Sequence, residues 1–404
     1  MTFSSRAITH RRHLGIAKEN GTRRRKRQIP GTNWRLGRMF LKVTTLNQSQ
    51  QPCRSAISNQ QMTSASSLRT GFWSSSDAEA QTNPPAAINF QEKLLPIEQR
   101  CALVDGLSVD LEDYYHVEAF AEQISRTQWS VLPSRIRKNT ERTLALLERT
   151  RCRATFFVLG WVAEREPGLV HELAQAGHEL ACHSHLHRQL HRLTPSQFRD
   201  DIVRSRYAIE NAAGTKVVGF RAPSFSITRN TLWALQILAE ERFEYDSSIF
   251  PIHHDLYGIP DAPRWVHQKR LSSGRVIWEV PPSTLRLGKV NLPVGGGGYL
   301  RLFPLWFTRW AIKTIHQRDG QPIIVYFHPW ELDPDQPRLN GSLKSRFRHY
   351  NGLAKTEGRL QEILSRGSFE PLINLVRRLE ASSPAQPLNR DDLASSKELD
   401  RAVS

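Results

Sequence analysis

Residues 154–187, ATFFVLGWVAEREPGLVHELAQAGHELACHSHLH, contain a strand, a helix and a second strand that ends in three histidines. The apolar run Ala154–Leu159 predicts a buried strand. A helix is predicted around 167–176 and ends at Gly177, because glycine is common just after a helix C-terminus. The short segment His178–Cys182 predicts the next strand. Such a strand–helix–strand unit is typical of a parallel sheet.

The same alternation of strands and helices continues on both sides of this unit. A strand is predicted at Leu107–Val109, and a helix around 136–150 precedes the quoted stretch. The later elements are strands at 216–220, 276–280 and 322–327 and helices around 195–212, 229–241 and 304–317. Alternating apolar strands and amphipathic helices indicate an α/β fold whose parallel sheet is covered on both faces. In such folds the chemistry lies at the C-terminal ends of the strands.

Composition divides the 404 residues into three parts. Residues 1–98 are rich in Arg, Ser, Gln and Asn and lack a periodic apolar pattern, so we expect a disordered leader. Residues 99–381 are expected to form the catalytic domain, and residues 382–404 a loose polar tail. The first 50 residues hold 12 Lys and Arg and one acid, which gives 12 − 1 = +11 of the net charge of +17.

This run of basic charge is more typical of a solvated tail than of a segment that binds nucleic acid. Peripheral association with the inner membrane surface is the alternative, and a misplaced translation start would explain the leader equally well. No apolar stretch approaches the ~20 residues that span a bilayer, and no secretory signal is recognisable. A cytoplasmic protein is therefore expected. Four scattered cysteines without a C-x-x-C pair argue against a disulfide scaffold or a zinc knuckle.

The clearest chemical signal is the run from His183 to His187, HSHLH. Two imidazoles four residues apart on one helical turn lie on one face, close enough to share a metal ion. Imidazole suits zinc and its neighbours in the first transition row. A merely polar surface cluster is the alternative, and the position at a strand end favours the metal site.

A second polar cluster, Asp110-Leu111-Glu112-Asp113, follows the first predicted strand. Three carboxylates within four residues repel one another unless a cation or a proton compensates. One carboxylate can complete a metal shell while another takes the proton from water. An ordinary acidic loop at a strand end is the alternative interpretation.

Two further strand ends carry an arginine and a histidine. Arg221 begins Arg221-Ala222-Pro223 after one strand and can hold a carboxylate in a fixed orientation. His328 follows the strand at 322–327 and is a candidate general acid. A structural salt bridge and a core histidine are the respective alternatives.

These motifs, in this order, resemble the NodB-homology polysaccharide deacetylases, carbohydrate esterase family four, over roughly residues 102–380. The resemblance implies a distorted (β/α) barrel, one divalent metal bound by Asp-His-His, and removal of acetyl groups from amino sugars. It implies that His183 and His187 are metal ligands, with zinc as the expected metal and cobalt as an alternative. Asp110 then resembles the general base, oriented by Arg221, and His328 the general acid.

The third metal ligand stays open between Asp113 and Glu112. The family has two adjacent aspartates, whereas here Leu111-Glu112 separates Asp110 from Asp113. We favour Asp113, because aspartate is the ligand that the resemblance implies.

Three further residues are expected to contact the substrate: Tyr114, Pro223 and Trp330. A backbone N–H near Tyr114 would also stabilise the oxyanion. Asp246, in Tyr245-Asp246-Ser247-Ser248, occupies the region of another family motif without its tryptophan, and we expect it only to orient a neighbour.

More narrowly, residues 109–116, VDLEDYYH, and 327–331, FHPWE, resemble deacetylases of exopolysaccharide loci linked to the exosortase/PEP-CTERM system of Gram-negative bacteria. This implies N-deacetylation of an exopolysaccharide, with an N-acetylated polysaccharide or oligosaccharide as the partner and no nucleic acid. An allantoinase-like cyclic-amide hydrolase and a carbohydrate O-acetyl esterase are the enzymatic alternatives. A catalytically inactive glycan-binding barrel is the alternative of another class.

Overall fold

The computed structural model describes residues 103–382. The predicted leader at 1–98 lies outside the described residues, as do residues 383–404 of the predicted tail, so both remain predictions. The strands are β1 (Asp105–Leu111), β2 (Thr155–Val158), β3 (Glu179–Cys182), β4 (Gly219–Phe220), β5 (Tyr245–Asp246), β6 (His267–Arg270), β7 (Val276–Glu279), β8 (Thr284–Leu287), β9 (Val290–Pro293), β10 (Ile324–Phe327) and β11 (Phe369–Glu370).

The α-helices of the described part lie between and after these strands. They are α1 (Ile136–Thr150), α2 (Gly160–Arg165), α3 (Pro167–Gln175), α4 (Pro195–Ala213), α5 (Trp233–Glu240), α6 (Gly297–Leu302), α7 (Leu305–Thr314), α8 (Leu343–Tyr350), α9 (Leu353–Leu364) and α10 (Leu372–Ala381). None of them is both long and apolar enough to cross a bilayer.

One nine-stranded sheet organises the described residues. Its order is β10-β1-β2-β3-β4-β5-β7-β6, and β11 also pairs with the start of β1. All neighbours are parallel except β6, which runs antiparallel to β7. Strands β8 and β9 form a separate antiparallel hairpin. The predicted α/β fold class is confirmed, with the C-terminal ends of the eight parallel strands on one side.

Irregular residues that follow β7, rather than a regular strand, form hydrogen bonds with β10. The Ser283 N–H donates to the Ile324 carbonyl at 3.3 Å, and the Tyr326 N–H donates to the Gly295 carbonyl at 2.8 Å. Gly296 is required here, because a Cβ on it would overlap the Tyr326 carbonyl. This irregular contact gives the barrel its distorted form.

Strand β1 shows how the sequence separates the core from the site. Leu107, Val109 and Leu111 are fully buried in the main hydrophobic core. Each buried side chain of this size stabilises the fold by roughly 1.5–3 kcal/mol relative to exposure. Side chains alternate along a strand, so Ser108 and Asp110 face the opposite side. The apolar face of β1 therefore packs in the hydrophobic core, and its polar face is directed toward the interior of the barrel.

Helix ends agree with the local sequence. The predicted helices at 136–150, 167–176 and 195–212 correspond to α1, α3 and α4. Thr194 precedes helix α4, and its hydroxyl accepts a hydrogen bond from the Gln197 N–H; Gly214 follows the helix with φ 71°. Serine or threonine before a helix and left-handed glycine after it are the expected signals.

Candidate metal centre and catalytic site

The carboxylate of Glu112 lies between His183 and His187. Its Oε1 atom is 3.0 Å from Nε2 of each histidine, and all three residues are buried. The three candidate ligand atoms lie within 4.8 Å of one another. Burial alone would raise the pKa of Glu112, but His187, His328 and His183 hold it well below its usual range. The acid is therefore ionised where two imidazoles converge.

The two histidines lie on a tight turn after β3 and not on a helix, contrary to the helical turn used in the prediction. Ser184 and His187 both have positive φ, 64° and 50°. The His187 N–H donates to the Ser184 hydroxyl at 3.1 Å, and Arg126 donates to the His187 carbonyl at 3.0 Å. These hydrogen bonds hold Ser184 and His187 in the strained left-handed conformation. The resulting turn brings the rings of His183 and His187 together.

The hydrogen bonds of His183 fit a bound cation. Its Nδ1 lies 2.8 Å from the Arg221 carbonyl, which can only accept, so Nδ1 carries a proton. In the neutral ring, Nε2 then directs a lone pair at the Glu112 carboxylate. Two electron-rich atoms at 3.0 Å repel unless a positive charge lies between them. A carbonyl behind the ring is also the usual support of a metal-binding histidine.

Asp113 does not face the two histidines. Its carboxylate accepts hydrogen bonds from the N–H groups of Arg135 and Ile136, at 2.7 and 3.0 Å, at the start of α1. It also accepts from the Ser134 hydroxyl and the Tyr114 N–H. The sequence-based preference for Asp113 as the third ligand is therefore not supported, because this carboxylate caps a helix. Glu112 occupies the expected ligand position.

Asp110 is held by Arg221 as the sequence predicted. The Arg221 Nη1 donates to Asp110 Oδ1 at 2.7 Å, and both side chains are buried. The guanidinium also donates to the carbonyl and the hydroxyl of Ser247, at 3.1 and 2.8 Å. Its Cζ lies 4.1 Å from the centre of the Phe157 ring, a cation–π distance. Arg221 therefore fixes one oxygen of Asp110 and leaves Oδ2 directed at the cleft.

His328, after β10, completes the cluster. Its Nε2 lies 3.7 Å from Asp110 Oδ2 and 4.0 Å from Glu112 Oε1. Its Nδ1 donates to Glu331 Oε1 at 2.7 Å. Burial lowers the pKa of His328, but Glu112 and Glu331 outweigh it and raise the pKa to about 9. A protonated imidazole therefore faces the space beside Asp110.

Glu331 was not predicted as a site residue. Its second oxygen accepts a hydrogen bond from the buried Arg301 at 2.7 Å. Arg301 donates in turn to the carbonyls of Arg348, His349 and Asn351. The spacing of three residues from His328 was the available signal, since a residue before a short helix often pairs with the third residue after it.

Asp110, Glu112 and His328 form a second group of candidate ligand atoms. Asp110 is already engaged by Arg221, and the raised pKa of His328 removes the lone pair that a ligand needs. Among the described residues, Glu112 with His183 and His187 is therefore the better metal site.

The three residues that were predicted to contact the substrate have different surroundings in the structure. Trp330 lines the cleft and stacks on His328, with ring centres 5.1 Å apart. Pro223 is buried and starts a short turn, so its neighbours Ala222 and Ser224 line the cleft instead. The N–H of Tyr114 donates to Asp113 at 2.9 Å, so its predicted oxyanion role is not supported.

Asp246 orients a neighbour, in line with its predicted role. It accepts from the Ser248 hydroxyl at 2.5 Å, and that hydroxyl accepts from the Ala222 N–H at 2.7 Å. Burial raises the pKa of Asp246 to about 6. Through Ser248, it supports the turn that carries Arg221.

One cleft of about 470 Å³ joins these groups. Asp110, Glu112, His187 and His328 line its floor, and Tyr257, Tyr299 and Phe347 are among the aromatic residues of its walls. A cleft of this size with a few convergent polar groups is typical of an active site.

Two family models match parts of the chain. Residues 129–240 match the model described as "Polysaccharide deacetylase", and residues 247–377 match the model described as "Domain of unknown function (DUF3473)". The first match contains His183, His187 and Arg221, and the second contains His328. Asp110 and Glu112 precede both.

The relatives cover short parts of the chain. A bifunctional xylanase/deacetylase of Pseudobutyrivibrio xylanivorans is 37% identical over 95 residues, 23% of this chain and 16% of that protein. A peptidoglycan-N-acetylglucosamine deacetylase of Bacillus cereus is 31% identical over 98 residues, 24% of this chain and 36% of that protein. The chain thus spans well under half the length of these curated relatives.

A solved family 4 carbohydrate esterase from Streptomyces lividans, in complex with acetate, is also similar. It is 19% identical with a TM-score of 0.37, and the alignment covers 66% of this chain and 90% of that chain.

Proposed function

We propose that this chain is a metal-dependent hydrolase that removes N-acetyl groups from the amino sugars of a polysaccharide, a function supported by the match of residues 129–240 to the polysaccharide deacetylase model. The observation that carries the proposal is the convergence of Glu112, His183 and His187 beside Asp110 and His328 in one cleft. Relatives named as deacetylases support the reaction class.

Glu112, His183 and His187 would hold one divalent ion. Two imidazoles and a carboxylate suit zinc, and cobalt accepts the same ligands. When bound, such an ion polarises a carbonyl and makes water more acidic near neutral pH. The Arg221 carbonyl fixes the His183 ring for this purpose.

Asp110 is the proposed general base. Arg221 holds its Oδ1 by a charge-assisted hydrogen bond of 2.7 Å, which leaves Oδ2 to accept a proton from the attacking water. The water oxygen bonds to the acetamide carbonyl carbon, and the proton passes to Asp110. Removal of the carboxylate charge therefore removes the base.

His328 is the proposed general acid. Glu331 orients its ring, and Glu112 together with Glu331 raises the pKa of His328 to about 9 against the effect of burial, so a protonated Nε2 can reach the departing nitrogen. The carbon–nitrogen bond breaks as that nitrogen gains the proton. The products are a free amino sugar and acetate.

The narrower part of the proposal is a role in exopolysaccharide modification. It is supported by the similarity of residues 109–116 and 327–331 to deacetylases of exosortase/PEP-CTERM loci. The basic leader is proposed to favour the inner membrane surface, through attraction of its Lys and Arg to anionic lipid.

Acetate release from N-acetylated chitooligosaccharides tests the reaction. Asp110→Asn should lower kcat at least about a hundredfold, because proton transfer by a positioned base contributes that much. His191→Ala is the matched control, since this exposed histidine lies four residues after His187 and outside the site. Equal activity of Asp110→Asn and wild type would contradict the proposal.

A further inference from the structure

Two segments beside the cleft contain basic residues and no acid. Residues 301–318 hold four Lys and Arg, and residues 336–356 hold five, with no Asp or Glu in either. The segments are packed together, because the Arg301 guanidinium donates to the carbonyls of Arg348, His349 and Asn351. They therefore form one positively charged part of the surface.

The same segments expose large apolar side chains. Trp306 and Trp310, four residues apart on α7, are 69% and 44% exposed. Leu343 and Phe347, four residues apart on α8, are 83% and 59% exposed. Residues at this spacing share one face of a helix. We call these four residues and the exposed Leu302 the apolar rim.

The apolar rim is continuous with the mouth of the cleft. Leu302 and Phe347 line the cleft themselves. An aromatic row leads from the cleft residue Tyr299 through Phe303 to Phe307, with ring centres 6.4 and 4.8 Å apart. Phe307 then contacts Trp306 and Trp310, at 6.0 and 5.6 Å. Exposed apolar surface next to an active-site mouth is a mark of an interaction site.

We propose that the apolar rim docks on an anionic lipid bilayer and sets the mouth of the cleft against the membrane surface. Tryptophan prefers the interface between lipid and water, and lysine and arginine next to it attract anionic headgroups. Four of the nine basic residues have an acidic partner: Arg301 pairs with Glu331, Arg309 with Glu362, Arg318 with Asp319 and Lys344 with Asp255. The other five, which are Lys313, Arg338, Arg346, Arg348 and Lys355, form no ion pair among the described residues and leave the surface with a net positive charge.

This inference goes beyond the proposed reaction, because docking depends on surface residues and not on the metal centre. It concerns a face of the folded domain and is separate from the basic leader. A sugar carried on lipid would meet the cleft from that face.

Vesicle binding by the full chain tests the inference. The probe is vesicles of phosphatidylcholine with and without phosphatidylglycerol, separated by sedimentation. Trp306→Ser with Trp310→Ser should weaken binding to the anionic vesicles about tenfold or more, because two large apolar side chains no longer enter the interface. Tyr207→Ser is the matched control: Tyr207 is 71% exposed on α4, does not line the cleft, and should bind as wild type.

The leader is present in all these proteins, so it cannot cause a difference between them. Unchanged binding of the double tryptophan variant, or an equal loss in the Tyr207 control, would overturn the inference. Acetate release from soluble chitooligosaccharide is measured on the same samples and should be unchanged by the tryptophan substitutions. A wild type that binds vesicles but releases no acetate would contradict the proposed reaction and leave the docking inference standing.

Discussion

Glu112 and Asp113 are neighbours in the chain, but their carboxylates face different parts of the molecule. Glu112 lies two residues after Asp110, so the alternation of β1 directs both toward the barrel interior. Asp113 lies on the other side and binds the first N–H groups of α1. The positive end of a helix stabilises such a carboxylate. Position along the strand thus decides which acid can reach the histidines.

Glu331 controls the proposed acid, and this gives a pH prediction. Because Glu331 raises the pKa of His328, Glu331→Gln should lower it while an amide oxygen can still hold the ring. Activity that needs protonated His328 falls as pH rises through this pKa. The alkaline limb of kcat/KM should therefore move to lower pH by about one unit, the size expected from one lost charged hydrogen bond.

A pH–rate profile of wild type and Glu331→Gln on the same chitooligosaccharide makes the comparison. An alkaline limb that stays in place would show that Glu331 does not tune the group that titrates there.

Several site residues could be predicted because each lies at the C-terminal end of an apolar strand. His183, Arg221 and His328 follow β3, β4 and β10, Asp110 is the last residue but one of β1, and parallel strands end on one side of the sheet. Glu112 could have been chosen over Asp113 from the alternation of Leu107, Val109 and Leu111. The contacts of Asp113 with Arg135 and Ile136 could not, because they join residues more than twenty positions apart.

At the scale of elements, the sequence predicted the regular strand–helix units and missed the irregular ones. The hairpin β8–β9 lies after the strand at Val276–Glu279, where the parallel pattern ends. Helix α8 buries only His349, so no apolar stripe marks it. The predicted strand at 216–220 is shortened to Gly219–Phe220. Tertiary contacts, and not periodicity, determine these elements.

Glu179 joins several elements at the end of the sheet opposite the candidate site. It accepts hydrogen bonds from Thr155 on β2, Tyr245 on β5 and the Ile373 N–H of α10. Burial raises the pKa of Glu179 to about 7, against the hydrogen bonds that lower it. The folded chain therefore binds a proton between about pH 4.5 and 7 that the unfolded chain has lost.

The favourable contribution of Glu179 to the free energy of unfolding is fully present below the pKa of this carboxyl in the unfolded chain. It is lost as the pH rises through about 7, its pKa in the folded chain. Glu179→Gln cannot ionise, so its free energy of unfolding should exceed that of wild type at pH 8 by at most about 2 kcal/mol, after allowance for partial exposure. At pH 5 the two should be similar. Urea unfolding at both pH values makes the measurement, and an equal difference at pH 5 and pH 8 would contradict the assignment.

At the scale of the whole molecule, one cleft is built from two parts of the chain that match different family models. His183, His187 and Arg221 come from residues 129–240. The proposed acid His328 and the aromatic walls with Tyr257, Tyr299 and Phe347 come from residues 247–377. The second region is therefore an integral part of the site, and it carries the apolar rim as well.

The most direct test of the central claim is metal content and affinity in three proteins: wild type, Glu112→Gln and Asp113→Asn. Each full-length chain is loaded with zinc, freed of excess metal and measured by elemental analysis and zinc titration. Wild type should hold one ion per chain. Glu112→Gln should bind zinc more than about a hundredfold more weakly, because it loses a direct ligand and even supporting residues cost ten- to a hundredfold.

Asp113→Asn should keep one zinc per chain, but its free energy of unfolding in urea should be about 2 kcal/mol lower than that of wild type. In either orientation the amide nitrogen would face an N–H donor, that of Tyr114 or those at the start of α1. Full zinc affinity in Glu112→Gln, together with loss of zinc in Asp113→Asn, would contradict a metal centre formed by Glu112, His183 and His187.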